Sequence, residues 1–235
     1  MTEPALTASL CWYPATRPAW ERIWDGVRAR LGFGPDRLSW PDEPGAHWRD
    51  AGLVLSMTCA LPMRLGLGRH VHVVGAPVWD LPGLPPGTYA SHLVMRAGDA
   101  RTVEAAAAAG IAVNAEDSQS GRGVLRDASL SGPMRVTGSH AASIAAVAEG
   151  RAALAAIDAV TWAMAPDPRL AIRRTTPPTP STPFVTARAD WVAPVRAALE
   201  AAIAAMPAAH LAATRLLGVT DRPAVAYAVD PAAAL

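Results

Sequence analysis

Small hydroxyl and amide side chains are concentrated between Asn114 and Gly121, where a predicted strand (111–113) is followed by a predicted helix. Ser118, Gln119 and Ser120 can offer O–H and N–H donors there. Free backbone N–H groups at a helix start, together with such donors, make a cradle for an anion. The other interpretation is an ordinary serine N-cap, which satisfies the same backbone groups without a ligand; the segment taken alone favours that capping.

A second polar turn, Gly138-Ser139-His140, also lies between a short predicted strand and a helix. A histidine at a helix start can donate a ring N–H to an anion, and the helix dipole there disfavours the charged ring. Alternatively, Ser139 caps the helix and His140 is a half-exposed first-turn residue. Both interpretations stay open.

Asp158 follows a buried strand predicted over 153–157 and begins a short helix at Ala159, so its first role is an N-cap. A carboxylate facing a ligand would also select a protonated oxyanion over sulfate, because only the former has an O–H to donate. The two roles are compatible.

Tyr13, Ser56 and Thr58 stand at the ends of two predicted strands, 6–12 and 53–56. Ligands of open α/β sheets gather beyond the carboxyl ends of strands. For each residue taken singly, packing or a turn hydrogen bond is a sufficient explanation.

Composition narrows the class of protein. The 235 residues are 51% hydrophobic, the formal net charge is +1, and every basic residue other than histidine is arginine. A folded core is expected, and a nucleic-acid surface is not. No recognisable metal, cofactor or catalytic motif is formed by the two cysteines, by the alternating His70 and His72 or by the scattered carboxylates. We therefore expect no metal, no cofactor and no enzyme activity.

No apolar run is long enough to cross a bilayer, and no basic leader precedes the first apolar run. We therefore expect no membrane insertion, and a cytoplasmic protein as the sequence stands or a periplasmic one if a leader has been removed. A monomer is expected.

Short apolar runs alternate with helix-length amphipathic segments, the pattern of an α/β protein with a parallel sheet. Strands are predicted over 6–12, 53–56, 71–76, 89–96, 111–113, 134–136, 153–157 and 170–174. Helices are predicted over 19–31, 102–109, after Ser120, over 139–149, from Ala159, over 190–205 and over 208–217.

Two proline-rich segments, 77–87 and 175–183, bracket the middle of the chain. If the chain crosses between lobes at each, lobe 1 comprises residues 1–88 plus 176–235 and lobe 2 comprises residues 89–175. Two connecting strands make a hinge, and ligands of such proteins bind in the cleft that the hinge opens and closes.

Several motifs in order resemble a known family, the substrate-binding proteins of phosphate/phosphonate-type ABC transporters. The similarity runs from Ala8 to about Thr186. It rests on Tyr13-Pro14, on 53–62, on Val74-Gly75-Ala76-Pro77, on Tyr89-Ala90-Ser91 with Val94-Met95-Arg96, on Asn114 with 118–121, on 138–140, on 156–162 and on the return to Phe184. The resemblance implies a two-lobed type II periplasmic-binding-protein clamshell with a two-strand hinge.

The resemblance also implies roles for individual residues. Ser118, Gln119 and Ser120 with His140 would hold a phosphonate-like head group, and Tyr13 would close on it from the other lobe. Members that take aminophosphonates use an acid in the return segment, where this chain has Thr182. That departure favours a ligand with a smaller or neutral substituent.

We therefore predict a protein that binds a small oxyanion (phosphate, phosphite or phosphonate-like) in the cleft, as the component of an ABC transporter that partners a permease. The alternatives are an enzyme on the same fold, as in cofactor-pyrimidine biosynthesis, or a cytoplasmic sensor. Cys59 is the one cysteine near a strand end that an enzyme could use.

Overall fold

The computed structural model describes residues 4–42 and 44–227. The strands are β1 (Thr7–Ser9), β2 (Leu53–Met57), β3 (His72–Trp79), β4 (Thr88–Tyr89), β5 (Ser91–Arg96), β6 (Ile111–Val113), β7 (Met134–Val136), β8 (Leu154–Asp158), β9 (Leu170–Thr175), β10 (Thr179–Pro180), β11 (Phe184–Thr186) and β12 (Leu216–Thr220). The α-helices are α1 (Arg17–Leu31), α2 (Pro44–His47), α3 (Ala60–Arg64), α4 (Val103–Ala109), α5 (Val124–Asp127), α6 (His140–Ala148), α7 (Ala159–Met164), α8 (Val192–Ala204) and α9 (Ala208–Thr214).

The chain forms two compact units. The first contains residues 1–82, 86–88 and 180–235, and the second contains residues 83–85 and 89–179. Where the chain passes from one unit to the other, β4 and β10 pair in a two-stranded sheet. The first unit is therefore built from both ends of the chain, and the second from its middle.

The first unit has a five-stranded sheet in the order β1-β2-β11-β3-β12. Strands β1 and β2 are parallel, whereas β11 and β12 run antiparallel to their neighbours. Helix α1 buries Trp20, Ile23, Trp24 and Val27 on one stripe, as an amphipathic helix does. It ends at Gly32, whose φ of 74° lies in the left-handed region that favours glycine at this position.

Among the described residues, no single helix is long and apolar enough to cross a membrane. The stretches 189–204 and 208–214 reach that length only together, and they are bent by 113° at the break between them. Helix α8 buries Val195, Leu199 and Ile203 inside the first unit.

The second unit has a five-stranded sheet in the order β7-β6-β8-β5-β9. Strands β7, β6 and β8 are parallel, and β5 and β9 are antiparallel to their neighbours. Both faces of the sheet are covered. Leu93 and Leu154 pack with residues of α4 and α5 on one face, while Val94 and Ala155 pack with residues of α6 on the other. Parallel strands buried on both faces explain the continuous apolar run of β8.

The structure confirms most predicted elements, including α1, α4, α6 and all the predicted strands of the second unit. Three predictions were wrong in part. The sheets are mixed rather than parallel, because the returning strands pair antiparallel. Strand β1 covers only Thr7–Ser9, not 6–12. The last helix stops at Thr214, since Arg215 adopts a left-handed conformation and Leu216 begins β12, a strand that sequence reasoning missed.

The segment 77–87 is not wholly a connector, because β3 continues through Pro77 to Trp79. A proline inside a paired strand is unusual, since it lacks the N–H that the ladder needs. Here Pro77 lies opposite Val219 of β12. The predicted strand, 71–76, therefore ends three residues too early.

Candidate functional site

Three neighbouring strands of the second unit end at the same edge of its sheet. Strands β7, β6 and β8 are parallel and adjacent, so the residues that follow them converge. Ser118 and Ser120 follow β6, His140 follows β7, and Asp158 is the last residue of β8. These four residues, which we call the Ser120 cluster, are linked by short contacts.

Ser118 caps a tight helical turn that leads into α5. Its Oγ accepts a hydrogen bond from the backbone N–H of Gly121 at 3.0 Å, and the π-helical turn Gln119–Gly123 follows. A Cβ on Gly121 would lie 2.3 Å from Oδ1 of Asn114, so only glycine fits this close approach without a shift. The Ser118 hydroxyl also lies 3.4 Å from the Ser120 hydroxyl. The turn thus brings two hydroxyls side by side.

His140 joins the two serines to the next strand. Its Nε2 lies 2.9 Å from Oγ of Ser120, within hydrogen-bond distance. It is the first residue of α6, whose N-cap is Ser139; the Ser139 Oγ accepts from the backbone N–H of Ala142 at 3.1 Å. Ser139 therefore caps the helix while the His140 ring reaches Ser120.

Asp158 combines a capping role with a contact to the imidazole. Its Oδ1 accepts from the backbone N–H of Thr161 at 2.9 Å, as an N-cap does. Its Oδ2 lies 3.4 Å from Nε2 of His140, and the two side chains are 5% and 12% exposed. A carboxylate accepts only, so this contact favours the tautomer in which Nε2 carries the proton.

Burial lowers the pKa of His140 below its ordinary value of 6.5. The main cause is the loss of water around the ring, which disfavours the charged form. The negative charge of Asp158 and the carbonyl of Ala156 act in the opposite direction but do not overcome it. The imidazole is therefore uncharged at neutral pH, and the cluster presents neutral donors beside one carboxylate.

This lowered pKa predicts acid sensitivity of the ligand-free protein. The unfolded ring takes up a proton as the pH falls through about 6.5, whereas the folded ring resists it. The free energy of unfolding should therefore decrease below that pH and level off below the folded pKa of His140. Urea unfolding at several pH values tests this. His140→Gln should reduce the dependence relative to the wild-type protein. Part of it should remain, because burial also lowers the pKa of His47 and of His92.

Two polar residues of the site were not assigned from the sequence. Ser91 of β5 donates its Oγ–H to the carbonyl of Ser120 at 2.9 Å, and its own N–H donates to Thr176 Oγ1 at 3.0 Å. Both residues are buried. In the sequence, Ser91 is only a serine at the start of an apolar strand. That position does not indicate a site residue until the pairing of β5 with β8 is known.

The other residues singled out from the sequence are not members of the Ser120 cluster. The Gln119 side chain is buried, and its Nε2 lies 3.5 Å from Asp127 Oδ2. Tyr13, Thr58 and Thr182 belong to the first unit. The hydroxyls of Thr58 and Thr182 are buried without a hydrogen-bond partner among the described residues.

Tyr13 lies in an aromatic group of the first unit. It stacks on Trp20 with ring centroids 6.4 Å apart and meets Trp79 edge-on at 5.5 Å. Thr58 and Thr182 come from neighbouring segments, since the backbone N–H of Thr58 donates to the carbonyl of Pro183 at 3.0 Å. The indole N–H of Trp79 donates to Ser181 Oγ at 2.7 Å.

The model of the family described as "ABC transporter, phosphonate, periplasmic substrate-binding protein" matches residues 75–223, well over half of the chain. The chain belongs to this family. The matched range of this phosphonate-binding family includes the whole Ser120 cluster. No curated protein matches the sequence significantly.

Solved structures agree on the fold. PhnD1 of Prochlorococcus marinus in complex with methylphosphonate is similar with a TM-score of 0.70 at 14% identity, covering 95% of this chain and 94% of that one. A binding protein component of an ABC phosphonate transporter from Pseudomonas aeruginosa is similar with a TM-score of 0.63 at 13% identity. The match covers 80% of this chain and 70% of that one. A Xanthomonas citri protein bound to ATP is similar with a TM-score of 0.65 at 16% identity, covering 98% of this chain and 93% of that one. The fold is that of the type II periplasmic binding proteins.

Membership of the phosphonate-binding family has direct consequences. Its members are transport binding proteins rather than enzymes, and membership implies a small ligand and an ABC permease as partner. Cys59, on which the enzyme alternative depended, is a buried residue of the first unit at the start of α3.

Proposed function

We propose that this protein binds a small phosphonate, phosphite or phosphate ion at the Ser120 cluster and presents it to an ABC permease in the periplasm, without catalysing a reaction on it. The observation that carries the proposal is the convergence of Ser118, Ser120 and His140 at one edge of the sheet, with contacts of 2.9 and 3.4 Å between neighbours. Side-chain donors grouped in this way match the tetrahedral oxygens of such an ion.

The donors of the cluster are uncharged. Among the described residues, no arginine forms a hydrogen bond or ion pair with Ser118, Ser120 or His140. Binding would depend on hydroxyl, imidazole and backbone N–H groups, with support from the dipole of α6. Such a site holds an anion by hydrogen-bond geometry, so it can discriminate between oxyanions of similar charge.

Asp158 supplies the discrimination against sulfate. Its carboxylate is the buried acidic member of the cluster and can only accept hydrogen bonds when ionised. A ligand that keeps one O–H can donate to it, whereas sulfate has no hydrogen to give. We expect sulfate to bind much more weakly than phosphate or a phosphonate.

We also propose, from the pattern of the family, that Tyr13, Thr58 and Thr182 of the first unit contact the same ligand, and that Gln119 and Ser139 support its head group. The buried hydroxyls of Thr58 and Thr182 support this proposal, because buried polar groups ordinarily have a partner. Thr182 is uncharged, which fits a ligand without an amine.

Titration calorimetry with methylphosphonate, phosphite, phosphate and sulfate tests the proposal. We expect saturable binding of at least one phosphorus oxyanion, a matching rise in the unfolding temperature, and little response to sulfate. The absence of binding by all three phosphorus oxyanions would refute the function.

Ser118→Ala and Thr102→Ala form a matched pair for separating folding from binding. Each removes an N-cap hydroxyl that accepts from a backbone N–H, at 3.0 Å and 3.1 Å respectively. Both changes should lower the free energy of unfolding by about 1 kcal/mol. Only Ser118→Ala should also weaken oxyanion binding, because Thr102 caps α4 and is not a member of the cluster. Equal affinities in the two variants would exclude a ligand contact by Ser118.

A further inference from the structure

The turn that carries Ser120 reaches across a neighbouring strand. Ser120 follows β6, yet its carbonyl accepts the hydroxyl hydrogen of Ser91, the first residue of β5, at 2.9 Å. The sheet order places β8 between β6 and β5, so this hydrogen bond spans β8. The residue of β8 that pairs with Ser91 is Asp158. The bond therefore attaches Ser120 to the sheet at the level of Asp158.

The hydrogen bonds of Ser118 give this turn its shape without attaching it to a strand. The Ser118 N–H donates to the carbonyl of Ala115 at 3.4 Å, and its hydroxyl accepts from the Gly121 N–H at 3.0 Å. All three residues belong to the same segment, between β6 and α5. Among these hydrogen bonds, the one from Ser91 is therefore the bond that ties the turn to the sheet.

Thr176 fixes the backbone of Ser91. The Ser91 N–H donates to Thr176 Oγ1 at 3.0 Å, and the Thr176 N–H donates to the Ser91 carbonyl at 2.9 Å. Both residues are buried. A serine hydroxyl has one hydrogen to donate, and that of Ser91 goes to the Ser120 carbonyl. Ser91 is therefore placed to orient Ser120 rather than to donate to a ligand.

We propose that Ser91 is a positioning residue for oxyanion binding, which sets the place of the cluster hydroxyls through the Ser120 carbonyl. This inference rests on the proposed function. The Ser120 carbonyl and the Gly121 N–H belong to one planar peptide group, and that N–H donates to Ser118 Oγ. One hydrogen bond from Ser91 therefore controls the position of both hydroxyls, those of Ser118 and Ser120.

Ser91→Ala tests the proposal with methylphosphonate as the probe. The change removes the bond to the Ser120 carbonyl and should weaken the affinity by about 2- to 10-fold, the range that corresponds to one net hydrogen bond. Titration calorimetry measures this loss. Ser143→Ala also removes a buried hydroxyl of the second unit and should keep the wild-type affinity. An unchanged affinity in Ser91→Ala would overturn the inference.

A double-mutant cycle separates positioning from a general loss of stability. Residues that act through one another have non-additive effects. Ser91→Ala should therefore cost clearly less affinity in the Ser120→Ala protein than in the wild-type protein, because one of the hydroxyls that it positions is already absent. The same fold-loss in both backgrounds would mean that Ser91 acts independently of Ser120, which contradicts the proposal.

The ligand-free protein gives a measurement that does not depend on binding. Ser120 Oγ lies 2.9 Å from His140 Nε2, so the nitrogen NMR signal of that ring reports the position of the hydroxyl. The signal, assigned from the His140→Gln spectrum, should shift in Ser91→Ala and stay unchanged in Thr102→Ala. An unshifted signal in Ser91→Ala would overturn the inference. If the signal shifts but the wild-type protein binds no phosphorus oxyanion, the proposed function fails while the positioning of Ser120 stands.

Thr176→Val provides a second variant, which keeps the Ser91 hydroxyl and gives a test even if Ser91→Ala does not fold. Valine has no hydroxyl, so the Ser91 N–H loses its acceptor. We expect a lower affinity for methylphosphonate and a shifted His140 signal in this variant as well. Wild-type affinity together with an unshifted signal would contradict the role of Ser91.

Discussion

Replacing Ser120 by alanine should weaken the binding of methylphosphonate by about 1–3 kcal/mol, which is about 5- to 150-fold in affinity. The Ser120 hydroxyl lies at the centre of the cluster, 2.9 Å from His140 Nε2 and 3.4 Å from Ser118 Oγ. Its loss removes a donor to a charged ligand and leaves the imidazole without its hydroxyl partner. The backbone conformation should be kept, because the Ser120 carbonyl accepts a hydrogen bond from the Ser91 hydroxyl whatever the side chain at position 120.

Ser143→Ala is the matched control for this prediction. Ser143 is another buried serine of the second unit, and its hydroxyl is 2.7 Å from Thr137 Oγ1, a residue outside the Ser120 cluster. Both variants lose one buried hydroxyl, so their stabilities should fall similarly. Affinity should fall only in Ser120→Ala. Equal affinity losses would mean that the effect comes from the fold rather than from a ligand contact.

Gly132→Ala should lower the free energy of unfolding by about 3 kcal/mol. A Cβ at this position would lie 2.0 Å from the carbonyl oxygen of Ala107 and 2.8 Å from its carbon. Those are backbone atoms of α4, which cannot rotate away as a side chain can. The loop before β7 would have to lift from the helix that it crosses.

Gly98→Ala is the comparison for this substitution. No atom lies within 4 Å of a Cβ added there, and the residue belongs to the same unit. We expect the free energy of unfolding of the Gly98→Ala protein to be unchanged or raised by about 0.4–1 kcal/mol, since alanine restricts the unfolded chain more than glycine does. Chemical denaturation, followed by circular dichroism, measures the free energy of unfolding of both variants. A Gly132→Ala protein as stable as the Gly98→Ala protein would contradict the close approach.

The sequence predicted the polar turns because each one interrupts an apolar alternation. Ser118, Ser139 and Asp158 stand between a strand and a helix, where small polar residues have a capping function that can be recognised without a structure. The contacts that join Ser118, Ser120, His140 and Asp158 into the Ser120 cluster could not be predicted from spacing. They depend on the order β7-β6-β8, and strand order follows from long-range pairing that leaves no local signal.

The errors in the first unit have a local cause. The residues from Ala208 to Leu217 are rich in alanine and leucine, so helix propensity extended the prediction past Thr214. The chain instead turns at Arg215, where β12 pairs with β3. Strand pairing outweighed the helix propensity of these residues. The end of β3, with which β12 pairs, was also not predicted, because Pro77 is unfavourable inside a strand.

The division of the chain has a consequence for biosynthesis. The second unit, which carries the whole Ser120 cluster, is almost entirely one uninterrupted stretch, 89–179, whereas the first unit needs β11 and β12 from the later part of the chain to complete its sheet. A ribosome therefore makes strands β5 to β9 of the second unit before it makes the last two strands of the first. Since domains generally fold as units during translation, the middle of this protein should acquire its structure before the beginning does.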